Sequence, residues 1–426
     1  MALFVRRSSW IPLLLMACSD PVPPPDPQPL AIEHNDVWSG TSISVSSAGF
    51  VGADPAAVLL DDDTLTFTRV NDSTLIVPMP DVPGTHQLRI ASPSVLTTSL
   101  PVHLNGYLNA ELGPIFGGRA VRGALLTDLF GTGPFGLRKW NVSTGQTWDY
   151  PDSMQNTACV SGVGIGAQPH ELVLRTGTCG TAWRLWRVEP TVERRDTTPY
   201  PGDRFVDVLT GGSYVFPGPH QFGIWWCDTA CRFGSYPRGE SGFDIVHSPS
   251  GNRAVLLAYL VSDSGAPIMD ADAERVLYVR PFQASMGAAF SEGGDTIFLV
   301  GQDHAATMGG AGLLATIRAS DGTRLVMDTT NYAPCGVALD PVRPLLYVAG
   351  LFNNLPDYWS VLGVYDRTTL QPIVTLRVAD GPVFGGGPCL VLPSPIERRI
   401  YVVSSFDAPF DPRISASFAR FETPPY

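Results

Sequence analysis

The sequence has 426 residues, of which 44% are hydrophobic and 16% are charged, so it is long and apolar enough for two or more folded domains. Its formal net charge is −12 and Lys139 is its only lysine, which excludes an extended basic surface and disfavours nucleic-acid binding. The 43 Gly and 39 Pro, with apolar runs rich in Val, Ile, Thr and Tyr, favour short strands joined by turns. We therefore expect an all-β protein.

The N-terminal segment has the pattern of an export signal. Arg6 and Arg7 precede a short apolar run at residues 10–17, which is too short to span a bilayer, and Leu15-Met16-Ala17-Cys18 follows the lipobox pattern. The segment resembles a bacterial lipoprotein signal peptide. The resemblance implies cleavage after residues 1–17 and acylation of Cys18, which would anchor the chain in a membrane. Ser19 after the cysteine favours the outer membrane, and the alternative is an ordinary secretory signal with a chance cysteine.

The next two regions are a linker and a small domain. Residues 18–29 are dense in Pro, which predicts an extended polyproline II spacer. Residues 30–104 contain short alternating strands, with Gly40, the pair Gly49-Phe50, the pair Val77-Pro78 and the turn Pro83-Gly84 at their ends. This region resembles an IPT/TIG module, which implies a small Ig-like β-sandwich that acts as a spacer or a protein contact.

A repeated hairpin organises the rest of the chain. Residues 335–350 contain an apolar strand, an Asp-Pro turn, a second apolar strand and a Gly, and residues 242–257, 287–301 and 389–404 repeat that pattern. The copies start at 242, 287, 336 and 390, and these starts are 45, 49 and 54 residues apart. That spacing is typical of four-stranded propeller blades with variable loops.

Further strand pairs complete the predicted blades. Residues 361–378 form the clearest outer pair, and weaker inner-strand copies near Ala120, Val160 and Val206 bring the expected number of blades to seven, with six or eight as alternatives. The motifs Leu346-Tyr347-Val348, Val276–Val279 and Ile400–Val403 resemble those of YVTN/NHL-type β-propellers. We therefore predict a β-propeller over residues 105–426. Residues 105–112 are expected to supply the missing outer strand of the last blade and so close the ring.

Six cysteines follow Cys18, and an even set in an exported chain predicts disulfides. Their proximity in the sequence suggests Cys159 with Cys179 and Cys227 with Cys231. Cys335 and Cys389 remain, and each follows a Pro at the same repeat position of successive blades. These two cysteines can pair only if their Cα atoms lie within about 7 Å of each other. A zinc site that includes Cys227 and Cys231 is a weaker alternative because no second ligand pair has the required spacing.

Other candidate sites are sparse, and no cofactor is predicted. The carboxylate groups at residues 61–63 and 270–274 could hold a structural Ca²⁺, although solvated turns explain them better. A set of aromatic and loop residues could form a binding surface if the rings face solvent, and the alternative is a core position. These residues are Trp183, Trp186, Trp225, Trp226, His170 and His220.

The functional expectation is a non-catalytic, lipid-anchored protein of the bacterial cell envelope. Its propeller loops would contact an envelope or extracellular protein or a glycan, and it would meet the membrane only through its anchor. Two alternatives remain open: a periplasmic propeller enzyme of the hydrolase, lyase or quinoprotein type, and an accessory subunit of an envelope assembly. Propellers host all of these functions, so the fold does not choose between them. Polar side chains in the central tunnel would favour the enzyme.

Overall fold

The computed structural model describes about two thirds of the chain. The described residues are 28–50, 55–92, 99–112, 120–122, 128–133, 136–150, 162–165, 171–176, 182–188, 193–194, 207–209, 213–215, 223–227, 231–235, 242–250, 253–258, 265–270, 275–280, 282, 284–302, 312–354, 357–379, 389–404 and 416–425.

The chain divides into two compact units. The first contains the described residues of Met1–Glu33, Ser44–Val77 and Gln87–Pro101. The second contains those of His34–Ile43, Pro78–His86 and Val102–Tyr426. Short pieces of the region 30–104 therefore belong to the same unit as the residues that follow it.

The described residues before Gly106 form nine strands and one 3-10 turn at Ala48–Phe50. The strands are β1 (Ala31–Ile32), β2 (Asp36–Trp38), β3 (Ser42–Ser46), β4 (Ala57–Leu60), β5 (Asp63–Leu65), β6 (Thr68–Asn71), β7 (Thr74–Pro78), β8 (Gly84–Ala91) and β9 (Leu100–Asn105). One sheet has the order β1-β3-β7-β6, with Ala31 opposite Ser46. In a second sheet β4 pairs with β5 and with β8, where Val58 lies opposite Ile90.

The first unit buries one face of each sheet. Val45 and Val77 are fully buried on the first sheet, and Val58 and Leu88 are fully buried on the second, while their sequence neighbours are more exposed. This alternation is expected when each strand turns one side to a common core and the other to solvent. The predicted Ig-like β-sandwich is thereby confirmed as a fold.

The second unit contains strands β10 to β37. After β10 (Tyr107–Leu112), they are β11 (Ala120–Arg122), β12 (Asp128–Gly133), β13 (Gly136–Asn141), β14 (Thr147–Asp149), β15 (Gly162–Ile165), β16 (Glu171–Thr176), β17 (Ala182–Arg187), β18 (Glu193–Arg194), β19 (Asp207–Leu209), β20 (Ser213–Val215), β21 (Gly223–Cys227), β22 (Cys231–Ser235), β23 (Gly242–His247), β24 (Arg253–Ala258), β25 (Ala266–Asp270) and β26 (Arg275–Val279). The remaining strands are β27 (Ala284–Phe290), β28 (Thr296–Gln302), β29 (Gly312–Arg318), β30 (Arg324–Thr330), β31 (Ala333–Leu339), β32 (Leu345–Asn354), β33 (Asp357–Asp366), β34 (Pro372–Arg377), β35 (Cys389–Ser394), β36 (Arg399–Ser404) and β37 (Ala416–Glu422).

These strands form seven blades of antiparallel strands. Blades 1 and 2 are β11–β14 and β15–β18, and blade 3 consists of the hairpins β19–β20 and β21–β22, which contact each other through β20 and β21. Blades 4, 5 and 6 are β23–β26, β27–β30 and β31–β34, and blade 7 has the order β10-β37-β36-β35. The first strand of each blade contacts the first strand of the next, from β11 to β35. The predicted seven-bladed β-propeller is therefore confirmed.

Two contacts close the ring. Strand β10 pairs antiparallel with β37 as the fourth strand of blade 7, with Ala110 opposite Ala419, as the sequence predicted. Blade 7 also packs on blade 1, where the ring centroids of Trp140 and Phe418 lie 4.6 Å apart in a shared apolar cluster. The β10 strand covers the edge that β37 would otherwise present to solvent.

The apolar runs of the repeat reflect burial of both faces of a blade. Leu346, Tyr347, Val348 and Ala349 of β32 are all fully buried. Because successive side chains point to opposite sides of a strand, Leu346 and Val348 pack toward blade 5, and Tyr347 and Ala349 pack toward blade 7. A strand between two neighbouring blades therefore needs a continuous apolar sequence, unlike the alternating strands of the first unit.

Candidate functional site

The inner strands of blades 4 to 7 enclose an apolar cavity of about 380 Å³. Because these strands line the centre of a propeller, the cavity is part of the central tunnel. Its lining consists of apolar residues, including Met286, Phe290, Leu339, Leu390 and Leu392. This part of the tunnel wall therefore offers hydrophobic contact and no ionisable side chain.

Backbones of neighbouring blades meet in this wall. A Cβ atom added to Gly287 would lie 2.8 Å from Gly336 Cα, and one added to Gly336 would lie 2.2 Å from the carbonyl oxygen of Cys389. Gly287 and Gly336 are therefore required for the close approach of adjacent inner strands. Each of these two glycines follows a β-bulge, which places Met286 and Cys335 as the extra residues.

A disulfide joins Cys335 and Cys389 at this same level. Their Cα atoms are 5.2 Å apart, within the range that a disulfide bridges, so the pairing that the sequence left open is confirmed. The bond links equivalent positions on the inner strands of blades 6 and 7, and Cys389 lines the cavity. It holds two blades of the tunnel wall together.

The turn between the first two strands of blade 6 lies at one end of the tunnel. In blade 6, Asp340 accepts hydrogen bonds from the Val342 and Arg343 backbone N–H groups at 2.9 and 2.8 Å, and from the Tyr347 hydroxyl at 2.5 Å. Arg343 Nη2 lies 2.8 Å from Asp340 Oδ2. The predicted role of Asp340 as a turn former is confirmed.

The Asp340 carboxylate is held in its charged form. Burial opposes its ionisation, but the hydrogen bonds from Arg343, Tyr347 and Val342 outweigh burial and lower the pKa of Asp340. With its acceptor sites occupied by these donors, the carboxylate anchors the turn and is poorly placed to remove a proton from a ligand.

Two exposed aliphatic side chains stand on equivalent turns of neighbouring blades. Val342 follows Pro341 in blade 6 and is 64% exposed, and Ile396 in blade 7 is 96% exposed. Pro341, which precedes Val342, and Pro393, near the end of β35, line the cavity. The cavity therefore opens toward a rim that is itself partly apolar.

A long hairpin of blade 6 carries an aromatic ladder at the opposite end of the blade. Strands β32 and β33 are each ten residues long, and their last pairs lie beyond the start of β31 at Ala333. Phe352 and Trp359 face each other across this extension, with stacked rings 4.6 Å apart. The Arg377 guanidinium lies 4.1 Å from the Trp359 ring centroid. Because Phe352 belongs to β32 and Arg377 to β34, the indole lies between them.

A polar cluster connects the segments before the propeller to blade 7 within the second unit. Arg398 Nη2 donates to Asp36 Oδ2 at 3.0 Å, to Asn105 Oδ1 at 3.2 Å and to the Thr423 carbonyl at 3.0 Å. Arg398 has a φ of +52°, a left-handed conformation that is uncommon for a residue with a side chain. Trp38, which is 7% exposed, packs into the apolar cluster of blades 6 and 7.

A buried hydroxyl pair joins Tyr332, in the segment before β31, to Tyr365 of β33. The Tyr332 and Tyr365 hydroxyls are 2.9 Å apart, and Tyr332 also donates to the Val348 carbonyl at 3.2 Å. Burial raises the pKa of both phenols, so both are neutral near pH 7. Gly363 leaves the space for the Tyr332 hydroxyl. The pair is therefore a structural hydrogen bond.

Several predicted site residues lie outside the described part of the chain. They are Cys18, Cys159, Cys179, His170 and His220, together with the side chains of Trp183, Trp186, Trp225 and Trp226. The strands that carry the four tryptophans are β17 and β21. Cys227 and Cys231 are register partners across the β21–β22 hairpin, and their pairing remains a prediction.

The carboxylate groups proposed for Ca²⁺ have other contacts where they are described. Asp61 Oδ1 accepts the Gln87 N–H at 2.8 Å, and Asp62 forms an ion pair with Arg89 at 3.0 Å. Asp270 is buried in β25, and residues 271–274 lie outside the described residues. Within the described ranges, no three His, Cys, Asp or Glu residues are grouped as metal ligands. The described residues also contain no helix with the length and hydropathy to cross a membrane.

Comparisons with known proteins do not identify a family for the chain. No protein-family profile matches the chain, and no curated protein is significantly similar to it. One solved structure that resembles it is a chain from a crystal structure of a mitotic checkpoint complex. That likeness covers 79% of this chain and 100% of the other, with 13% identity and a TM-score of 0.49. A likeness of this degree carries no information about function.

Proposed function

We propose that the chain is an exported, lipid-anchored, non-catalytic binding protein of the bacterial envelope, with the outer membrane as its destination. The lipobox at residues 15–18 and the Pro-rich segment at 18–29 support the anchor and the spacer. An N-terminal module of the IPT/TIG type extends the spacer, and a YVTN/NHL-type propeller provides the binding surface. No reaction is assigned, because the described tunnel wall is apolar and Asp340 is occupied by its own turn.

The observation that carries the binding role is the extended hairpin of blade 6. With ten residues each, β32 and β33 are the longest of the described strands, and loops on a rigid scaffold are common sites of recognition. Phe352, Trp359 and Arg377 stiffen its base, and aromatic residues with Arg are the side chains most enriched at protein interfaces.

A protein partner fits this hairpin better than a glycan. Sugar stacking needs a free aromatic face, whereas Trp359 lies between Phe352 and Arg377. The ladder therefore supports the hairpin while the tip makes the contact. We expect the partner to be an envelope or extracellular protein.

Photo-crosslinking in intact cells tests the binding role. A benzoylphenylalanine at Asn354, near the hairpin tip, is expected to give a discrete covalent adduct with one protein. The same group at Thr375, an exposed residue of β34, is the control and is expected to give none. Trp359→Ala should reduce the Asn354 adduct several-fold. Binding to a glycan array without any protein adduct would replace the protein partner with a glycan, and absence of both would refute the binding role.

Acyl labelling tests the anchor separately. Cys18→Ser is expected to abolish incorporation of radioactive palmitate and to move the chain from the membrane fraction to the soluble fraction. Labelling that persists in Cys18→Ser would contradict the proposed attachment site. Recovery of the unaltered chain in the inner-membrane fraction would contradict the outer-membrane assignment alone.

A further inference from the structure

We propose that the apolar tunnel cavity of blades 4 to 7 binds a small, neutral and predominantly apolar molecule. This site is distinct from the blade 6 hairpin tip and does not depend on the binding role proposed for that hairpin. The cavity volume of about 380 Å³ falls within the range of small-molecule sites in proteins.

The lining determines the chemical class of the ligand. Met286, Ala288, Val337 and Val391 are each at least 92% buried, while Ala338 and others in the lining retain some exposure inside the tunnel. None of the described lining residues carries a charge, so a charged ligand would lose its hydration without gaining a counter-ion from them. A space with apolar walls gives water few hydrogen-bond partners and instead favours apolar guests.

The limited polarity of the wall comes from strand edges. Among the described strands, β31 pairs only with β32, and β35 pairs only with β36. Their other edges face the tunnel and carry backbone N–H and C=O groups. A ligand with one or two polar atoms at its periphery can therefore be accommodated, but one rich in hydroxyl groups would leave most of them unpaired against apolar side chains.

The walls of the cavity are fixed relative to one another, and its opening at the turn end is accessible. The Cys335–Cys389 disulfide and the backbone contact between Gly287 and Gly336 fix the spacing of blades 5, 6 and 7, so the volume is preformed. At the turn end, Val342 and Ile396 provide exposed aliphatic surface on the approach to the cavity. An apolar molecule can contact this rim before it enters.

Fluorescence titration with 1-N-phenylnaphthylamine, a neutral apolar dye, tests the site. The full chain carrying Cys18→Ser is used, because loss of the predicted acyl group removes the need for detergent. We expect saturable binding of one dye per chain. Ala338→Phe, which fills the cavity, should weaken binding at least tenfold, and Thr375→Phe on the outer strand of the same blade should leave it unchanged.

A second variant and a second measurement distinguish loss of the binding site from misfolding. Leu390→Trp fills the cavity from blade 7 and should also weaken dye binding at least tenfold. Near-ultraviolet circular dichroism spectra of both variants are compared with that of the parent to check that they fold. A crystal of the parent chain under xenon pressure should show xenon beside Ala338 and Leu390. Equal dye binding by the parent and both filled variants, or a cavity without xenon, would overturn the proposal.

Discussion

Removal of the Cys335–Cys389 disulfide should destabilise the propeller by a calculable amount. The bond closes a loop of 54 residues. In the chain-entropy treatment, a loop of that length lowers the entropy of the unfolded chain by about 14 cal/mol/K, which stabilises the fold by about 4 kcal/mol at 25 °C. A propeller of roughly 320 residues has a melting entropy of about 0.7 kcal/mol/K, so the midpoint should fall by about 6 °C.

Scanning calorimetry of Cys335→Ala/Cys389→Ala against the unaltered chain measures this shift. Replacing both residues avoids a free thiol, and Ala avoids a buried hydroxyl. Val391→Ala is the packing control, since it removes buried methyl groups at the same interface without opening a covalent link, and its shift should be smaller. A midpoint within about 1 °C of the unaltered chain would refute the reasoning. Non-reducing peptide maps without a linked 335–389 pair would refute it as well.

Three further predictions concern single residues. Because the pKa of Asp340 is lowered in the folded chain, its carboxylate stabilises the fold above the ordinary pKa of 3.8, and this stabilisation is lost as the pH falls through the folded pKa. Asp340→Asn should therefore lower the urea midpoint at pH 7 and flatten the decline of that midpoint toward pH 3. Trp38→Ala should cost about 3–5 kcal/mol in urea unfolding of the second unit, against a much smaller loss for the exposed Trp148→Ala. Ala110→Pro should lower the urea midpoint because Pro fits poorly in the paired strand β10, whereas Ala110→Ser should be tolerated in the same assay.

Each of these predictions has a result that would contradict it. For Asp340→Asn it is a pH profile parallel to that of the parent. Equal losses for Trp38→Ala and Trp148→Ala would remove Trp38 from the propeller core. An Ala110→Pro chain that unfolds at the parent's urea concentration would show that blade 7 does not depend on its N-terminal strand.

Local patterns in the sequence predicted the propeller because each blade is built from neighbouring strands. The Asp340 turn, the apolar runs of β32 and the repeated glycine all follow from contacts that recur at the same repeat position. The same regularity placed Cys335 and Cys389 at one repeat position, although it left their pairing open, and the incomplete last blade predicted that β10 would supply its fourth strand. Repetition supplied information that a single hairpin does not contain.

The cluster around Arg398 could not be predicted in this way. Arg398 and Asp36 are 362 residues apart, and Asp36 lies outside the repeated hairpins. The division of residues 30–104 between two units depends on such non-local contacts, including the burial of Trp38 against blades 6 and 7. An ion pair between distant segments has no local periodicity to identify it.

The candidate surfaces could be predicted only in part from the sequence. Trp359 and Phe352 flank the tip of one hairpin, and their stacking depends on the register of β32 with β33. The length of the hairpin relative to β31 also depends on where pairing ends. Exposure of Val342 and Ile396 follows from their places in turns, whereas the cavity beneath them depends on how the inner strands of different blades meet.

The pairing of β10 with β37 has a consequence for biosynthesis. Tyr107 lies opposite Phe421, so the two strands of this ladder leave the ribosome or a translocation channel more than 300 residues apart. Every other blade can assemble from contiguous chain as it emerges, but blade 7 must wait for the C-terminus. During that interval β10 is an unpaired strand, and a chain stopped before residue 416 would keep it so. Premature termination anywhere in the propeller therefore leaves the same edge of β10 without its β37 partner.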